Sequence, residues 1–242
     1  MSRRDGGAEE LARRRAVVQR VAGAAWTMDA WETPGGPASI ESAYEEYLSV
    51  PGAVERLVEA ERAGVDGAIL GCFGDPGIDA AREMVSIPVV GPGEASMLFA
   101  AALGHRFSIV TVLDSVVPLL ERLAWQVGVD RKLASVRSIG VPVLELDRDP
   151  DETLARMTRE GQAARDRDRA DAIIMGCMTM AFGDRQGELA RRLGIPVVNP
   201  VYAAVKLMQA QVELGLRHSR RAYPVPPKLA RQAAGSGAHG AH

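Results

Sequence analysis

Asp66-Gly-Ala-Ile-Leu-Gly-Cys72 is the stretch that decides the fold, because the chain says it again as Asp171-Ala-Ile-Ile-Met-Gly-Cys177. Each copy is followed, after a helix-like segment, by Ile-Pro-Val-Val: Ile87 to Val90 in the first half, Ile195 to Val198 in the second. Pro92 and Pro200 then stand at matching places. An internal repeat of this kind implies one structural unit built twice. A short apolar run bounded by glycine and preceded by a helix suits a strand buried on both faces of a parallel sheet. The chain has only two cysteines, and each falls just past one of these strands. Ligands of open α/β sheets bind beyond the carboxyl ends of the strands. A pseudo-twofold arrangement of two lobes would bring the thiols face to face across one cleft.

Outward from the first copy, residues 8–25 read as a helix and 26–32 as a short strand. Thr33-Pro-Gly-Gly-Pro37 is a turn by composition. Residues 39–47 form a helix with Ser39 as its N-cap, and 51–63 a second helix ended by Gly64. Asp75 and Pro76 make an N-cap and N1 pair for a helix over 77–84. A strand at 89–90 and a helix over 94–103 follow. In the second half, strands fall at 107–112, 143–146, 172–175 and 197–198. Asp114 caps a helix reaching Gln126. Asp149-Pro150 with Glu152 starts a long charged helix ending near Arg169, whose Arg and Asp run is a solvated face. Residues 183–193 and 201–214 are helical. The Gly, Ala and His tail over 233–242 is not expected to order. Strands alternating with helices at this spacing imply βαβ units and parallel sheets.

The 242 residues carry 29 Lys and Arg against 31 Asp and Glu, a formal charge of −2, which argues against a nucleic-acid surface. No apolar run approaches the roughly 18 residues a membrane span needs. Met1-Ser-Arg-Arg-Asp-Gly-Gly is not followed by a signal-peptide core, so a cytoplasmic protein is expected. Two cysteines make neither a disulfide framework nor a cysteine-based zinc site. His105 and His218 are isolated, and His239 and His242 lie in the tail, so no metal-ligand spacing is visible. Gly91-Pro-Gly93 lacks the third glycine of a dinucleotide fingerprint, and no Walker-type sequence occurs.

A lone cysteine at a strand end is most often a small buried hydrophobe. Here both thiols stand after the apolar run, each ahead of an expected helix whose N–H groups and dipole would lower the thiol from about 8.5. A symmetric pair suits the inversion of a carbon next to a carbonyl. One thiolate removes the proton from one face, and one thiol returns a proton to the other. Backbone N–H groups beside the cysteines would hold the enolate charge. Such chemistry calls for no metal and no organic cofactor. The alternative is a one-thiol reaction, either reprotonation after decarboxylation or addition to a double bond in a cis–trans isomerisation. A non-enzymatic alternative is a ligand-binding protein left over from such an enzyme.

Several blocks carry a family resemblance: Gly36-Pro-Ala-Ser-Ile-Glu-Ser42, Cys72-Phe-Gly-Asp-Pro-Gly77, Pro88-Val-Val-Gly-Pro-Gly-Glu-Ala95 and Arg106-Phe-Ser-Ile-Val-Thr111. Gly176-Cys177, Pro196-Val-Val-Asn-Pro200, Ser219-Arg-Arg-Ala-Tyr223 and Pro226-Pro-Lys228 extend it. On these residues the chain resembles the hydantoin racemase branch of the aspartate/glutamate racemase superfamily. The resemblance implies two flavodoxin-like α/β lobes with parallel sheets and the active site between them. Lobe 1 would comprise 1–92 plus 201–228, lobe 2 93–200, with 229–242 a disordered tail. Cys72 and Cys177 would be paired acid/base groups, the cofactor list empty, the partner a small-molecule substrate and the assembly a homo-oligomer.

Within the superfamily, glutamate and aspartate racemases carry Asn-Thr after the first cysteine and Thr-rich sequence after the second. Here Phe73-Gly74 and Met178-Thr179 stand in those places, which suggests a less polar pocket and a neutral ring. A 5-substituted hydantoin is the expected substrate, with allantoin a close relative. Thr111 matches a family position that touches substrate, or is an ordinary β-branched strand residue. Ser39 matches a pocket loop, or is only a helix cap. Glu94 matches as well, or is only a first-turn residue. Two departures stand out. The family begins with a strand and Asn-Pro-Asn-Thr, whereas this chain goes almost directly to a helix, so the first strand of lobe 1 is expected to be missing and a sheet edge exposed. Many relatives have Ala-Gly where Met178-Thr179 stands.

Overall fold

The computed structural model describes residues 7–229. The expected disordered tail lies outside these residues, apart from Leu229. Helices α1 (Gly7–Ala22) and α2 (Ala43–Arg62) precede β1 (Ala68–Ile69), α3 (Ile78–Met84), β2 (Val89–Val90) and α4 (Pro92–Leu103). Then come β3 (Phe107–Thr111), α5 (Val117–Val127), β4 (Leu133–Ser138) and α6 (Pro150–Asp166). The chain continues through β5 (Ala172–Met175), α7 (Met178–Phe182), α8 (Gln186–Leu193), β6 (Val197–Val198) and α9 (Pro200–Glu213).

β1 pairs with β2, and the other strands form a sheet in the order β4-β3-β5-β6; every pairing is parallel. The continuous apolar runs of β3 and β5 are central strands, as their composition requires, whereas β1, expected to be buried on both faces, lies in a sheet of two strands and is only half-buried. Phe107, Ile109, Ile173, Ile174 and Met175 are fully buried between helices, where such side chains contribute about 1.5–3 kcal/mol each. Two parallel sheets, each facing helices, make a two-lobed α/β molecule. Among the described residues no strand precedes β1.

α9 returns from the end of the larger sheet to cover the smaller one. Gly67 is what lets it come close: a Cβ there would overlap the Met208 sulfur and crowd Val212. Beyond α9 the chain is bolted to α3 and β2. The Arg220 guanidinium donates to the carbonyls of Arg82, Glu83 and Val85 at the end of α3, where a cation favours the helix dipole. His218 accepts the Val89 N–H at 2.9 Å, so this histidine faces the fold rather than a partner or solvent.

Asp75 is the main surprise. It does not cap α3, whose N-cap is Gly77 in the left-handed region (φ 72°). Instead its buried carboxyl accepts the N–H groups of Gly93 at 2.9 Å and Glu94 at 2.7 Å, in the first turn of α4. These helix-start N–H groups have no partner within their own helix. The arrangement explains Gly91-Pro92-Gly93, which the absent dinucleotide fingerprint left without a purpose. A Cβ at Gly91 would overlap the Asp75 carboxyl, and one at Gly93 would overlap the Phe73 carbonyl.

Other expectations are corrected. The helices expected at 39–47 and 51–63 are one helix running through Pro51, and its N-cap is Ser42, not Ser39. Ser42 and Glu45 form a reciprocal cap: Ser42 Oγ accepts the Glu45 N–H at 3.3 Å, while the Glu45 carboxylate takes the Glu41 N–H at 2.7 Å. Residues 26–32 are not a strand; no neighbouring strand pairs with them, and their backbone is held by Gln19, which bonds Trp26 and Met28. Residues 143–146 hold a 3-10 turn, Val143–Glu145, and the strand missed is β4. β4 is a sheet edge whose residues are all half-buried, so it lacks the apolar run that marks a central strand. Asp114 starts a 3-10 turn ahead of α5 and accepts from the Ser138 hydroxyl rather than capping the helix. The helix expected over 183–193 begins only at Gln186. Asp149 does cap α6, accepting the Glu152 N–H at 3.0 Å.

Burial pushes the Asp75 carboxyl up to about 8, against the pull of its two N–H donors, with Glu94 adding to the rise and Arg82 opposing it. Its folded value therefore lies above the ordinary 3.8, and the group's contribution to stability is complete below that value and lost as pH rises through about 8. Urea unfolding of the native chain and Asp75→Asn at pH 5 and pH 9 measures this. The stability advantage of the native chain over the variant is expected to shrink at pH 9.

Candidate active site

The strand ends converge on one cavity between the two sheets. Cys72 enters from the turn after β1, Thr111 from the end of β3, and Cys177 from the junction of β5 and α7. The lining also includes the other residues expected from the sequence: Phe73 and Gly74 beside the first cysteine, Met178 and Thr179 beside the second, and Ser39 from the loop ahead of α2. All eight thus line a single space, and much of the rest of the wall is apolar, from Leu70, Val112, Val116, Leu120 and Val143.

The two thiols occupy equivalent strand ends but different local structures. Cys177 is buried and is the N-cap residue of α7, as expected. Cys72 keeps part of its surface open and is followed by a turn, not a helix. The Asp75 N–H returns to the Cys72 carbonyl at 3.2 Å, with Asp75 itself at φ 52°. The expected lowering of the Cys72 thiol is therefore corrected. Burial pushes it up to about 12; the Gly74 N–H bond pulls it down, while Cys177, Glu46 and Asp75 add to the rise. Both cysteines line the same cavity.

The cavity walls are held by bonds between the halves. The Glu41 carboxylate accepts the Val143 N–H at 2.5 Å, and its carbonyl accepts the Ser115 hydroxyl at 2.6 Å. These ties pin the loop carrying Ser39 over the opening, and Ser39 is buried there rather than capping a helix. Thr111 is fully buried, and its hydroxyl donates to the Gly176 carbonyl at 3.0 Å. It thus fixes the turn that presents Cys177. Gly176 must lack a side chain, since a Cβ would lie 3.0 Å from Thr111 Cβ and closer still to Ile109. Glu94 lies outside the lining; it pairs with Arg82 at 2.5 Å. His105 sits in the loop before β3, its N–H bonded to Asp171.

Two charged side chains were missed. Glu46, from the first turn of α2, and Arg14, from α1, both line the cavity. Arg14 is buried, pairs with Glu10 at 2.5 Å and lies 5.0 Å over the Phe182 ring. The signal for Glu46 was present: stepping back from Leu57 through Ala53 and Val50 at helical spacing reaches Glu46 on the inward face. Among the described residues no cluster of three or more His, Cys, Asp or Glu side chains forms a metal site.

A sequence profile described as Asp/Glu/Hydantoin racemase matches residues 8–208. The chain is 42% identical over 195 residues to a hydantoin racemase of Pseudomonas sp. (strain NS671), covering 80% of this chain and 77% of that one. It is 38% identical over 192 residues to a hydantoin racemase of Rhizobium meliloti, covering 78% of each. Among solved structures it resembles the allantoin racemase from Klebsiella pneumoniae, with a TM-score of 0.83, 32% identity, and coverage of 89% of this chain and 88% of that chain.

Thr111→Val keeps the shape of the side chain and leaves the buried Gly176 carbonyl without its donor. The expected loss is about 1–3 kcal/mol of stability, read as a lower urea midpoint at unchanged slope.

Proposed function

Because the chain belongs to the Asp/Glu/Hydantoin racemase family and is a racemase, an isomerase, we propose that its cavity inverts C5 of a 5-substituted hydantoin or a related cyclic ureide. The observation that carries the reading is the pair of cysteines, from equivalent strand ends, lining one cavity. In the proposed reaction one sulfur, as thiolate, takes the proton from C5, and the C–H electron pair moves onto the adjacent carbonyl as an enolate. The other sulfur, as thiol, gives its proton to the opposite face of C5, and the enolate pair returns to carbon. The two sulfurs have then exchanged states, and the next turnover runs in reverse.

The backbone N–H groups at the start of α7, beside Cys177, would hold the enolate oxygen. The apolar wall around Phe73, Met178 and Val143 suits a neutral ring better than a zwitterion, with Ser39, Gly74, Thr111 and Thr179 as the polar contacts. Hydantoin is placed before allantoin because the hydantoin racemase relatives share more of the sequence. The reading also takes 1–92 with 201–228 as one lobe and 93–200 as the other, since α9 and the segment after it pack on β1, β2 and α3. It places the enzyme in the cytoplasm.

Incubation of one enantiomer of a 5-substituted hydantoin with the protein in heavy water tests the reaction. Optical rotation should fall as deuterium enters C5. Cys72→Ser and Cys177→Ser should each slow both signals at least about a hundredfold. Survival of activity in either variant would favour a one-thiol isomerase or decarboxylase. A ligand that binds without exchanging its proton would leave a binding protein. A parallel arm with allantoin decides between the two rings.

Homo-oligomeric assembly is part of the same reading. Tyr44 and Tyr47 are exposed on α2, and Leu98, Phe99 and Leu103 on α4, apolar surface that a second copy would cover. Sedimentation velocity should show one species heavier than the 25.8 kDa chain; a monomer would remove the expectation.

A further inference from the structure

Among the described residues Glu46 is the one carboxylate that lines the cavity, and only 14% of its side-chain surface is exposed. A buried acceptor is normally met by a donor of the chain. Here, among the described residues, no hydrogen bond reaches the carboxylate; the cation beside it is Arg122 of α5, half exposed and 3.6 Å away. The other charge on the wall, Arg14, is already engaged by Glu10 and by the Phe182 ring. A few polar groups set in an apolar wall are what orients a ligand in a pocket, and this one can only accept.

Gly74 fixes where it acts. A Cβ there would lie 2.6 Å from Glu46 Oε1 and 4.0 Å from Cys72 Sγ, so carboxylate and sulfur flank the face that the glycine leaves bare. We propose that Glu46 accepts the N1–H of the bound ring, the N–H on the atom bonded to C5, and so selects ureides that are unsubstituted at N1. The inference rests on the reading above, which puts C5 against Cys72. N1 is then the ring nitrogen next to the sulfur, while N3 lies across the ring between the two carbonyls.

An N–H donated to a carboxylate makes a charge-assisted bond, stronger than one to a neutral acceptor. Taking N1–H leaves the C4 carbonyl, on the other side of C5, to the N–H groups at the start of α7. Opposite walls thus hold opposite ends of the reacting N1–C5–C4 unit. Hydantoin and allantoin rings both carry this N–H, so the inference does not depend on the choice between them. A ring substituted at N1 would bury the carboxylate unpaired, and a site built to bond an N–H rejects ligands that lack it more strongly than an apolar wall rejects a misfit.

Calorimetric titration with 5-methylhydantoin, 1,5-dimethylhydantoin and 3,5-dimethylhydantoin reads binding without turnover. The native chain is expected to bind the first and third alike, and the second at least about a hundredfold more weakly. Glu46→Gln keeps the volume and removes the charge. In that variant 5-methylhydantoin should bind about tenfold more weakly, and the penalty for the methyl group at N1 should shrink to about tenfold.

Equal binding of the three rings by the native chain would overturn the proposal, as would rejection of the N3-methyl ring instead; neither comparison needs a variant to fold. A penalty undiminished in Glu46→Gln would overturn it too, since the discrimination would then be one of fit. No binding of 5-methylhydantoin at all would remove the ring reading and this proposal together. Discriminating binding with no proton exchange at C5 would leave Glu46 as the selecting residue and remove the two-thiol step alone. Exchange that runs as fast on the N1-methyl ring as on its parent would remove the role of Glu46 and leave that step standing.

Discussion

The Asp75 carboxyl, buried under the first turn of α4, is the contact on which the rest of the site depends. It closes the turn that carries Cys72, since its backbone N–H returns to the Cys72 carbonyl. Its side chain occupies the N–H groups that α4 leaves open at its start. One residue thus joins the strand end bearing the first thiol to the helix that leads into the larger sheet. The demand is steric as well as electrostatic. Gly91 and Gly93 have no Cβ because the carboxyl and the Phe73 carbonyl fill that space. A carboxyl that caps a helix N-terminus is favoured by the dipole, but full burial works against its charge. The result is a group balanced between its two forms, in contact with the residues around the Cys72 thiol.

That balance extends to Cys72. Repetition of the strand–Gly–Cys unit places the sulfurs alike, yet the chain after each departs at once. Cys177 opens a helix, while Cys72 opens a tight turn with Asp75 and Gly77 in the left-handed region. A buried thiol flanked by carboxylates resists ionisation, as Cys72 does. Symmetry of position is therefore not symmetry of local structure.

The opening of the cavity is set by contacts between distant parts of the chain. Glu41 holds the Ser39 loop to Val143 and Ser115, and Thr111 holds the Cys177 turn to β3. α9 and the arginine-rich segment after it lock the small sheet from behind. The small sheet needs this support, because two strands of two residues supply little ladder of their own.

Period and composition alone determined β1, β2, β5 and β6, the cysteines just past β1 and β5, and the Asp149 cap. Each of these is written in a few consecutive residues: an apolar run with glycine at its end, or an acid before a proline. The tertiary structure alone decided that Asp75 serves α4 rather than α3, that β4 is the sheet edge while Val143 is a turn, and that Cys72 is held up rather than down. A half-buried edge strand needs no continuous apolar run, so its signal is weak in any window. Caps and charges act through whatever lies within a few ångströms. Here those neighbours are brought together from 18 and 19 residues away, by packing that no local pattern records.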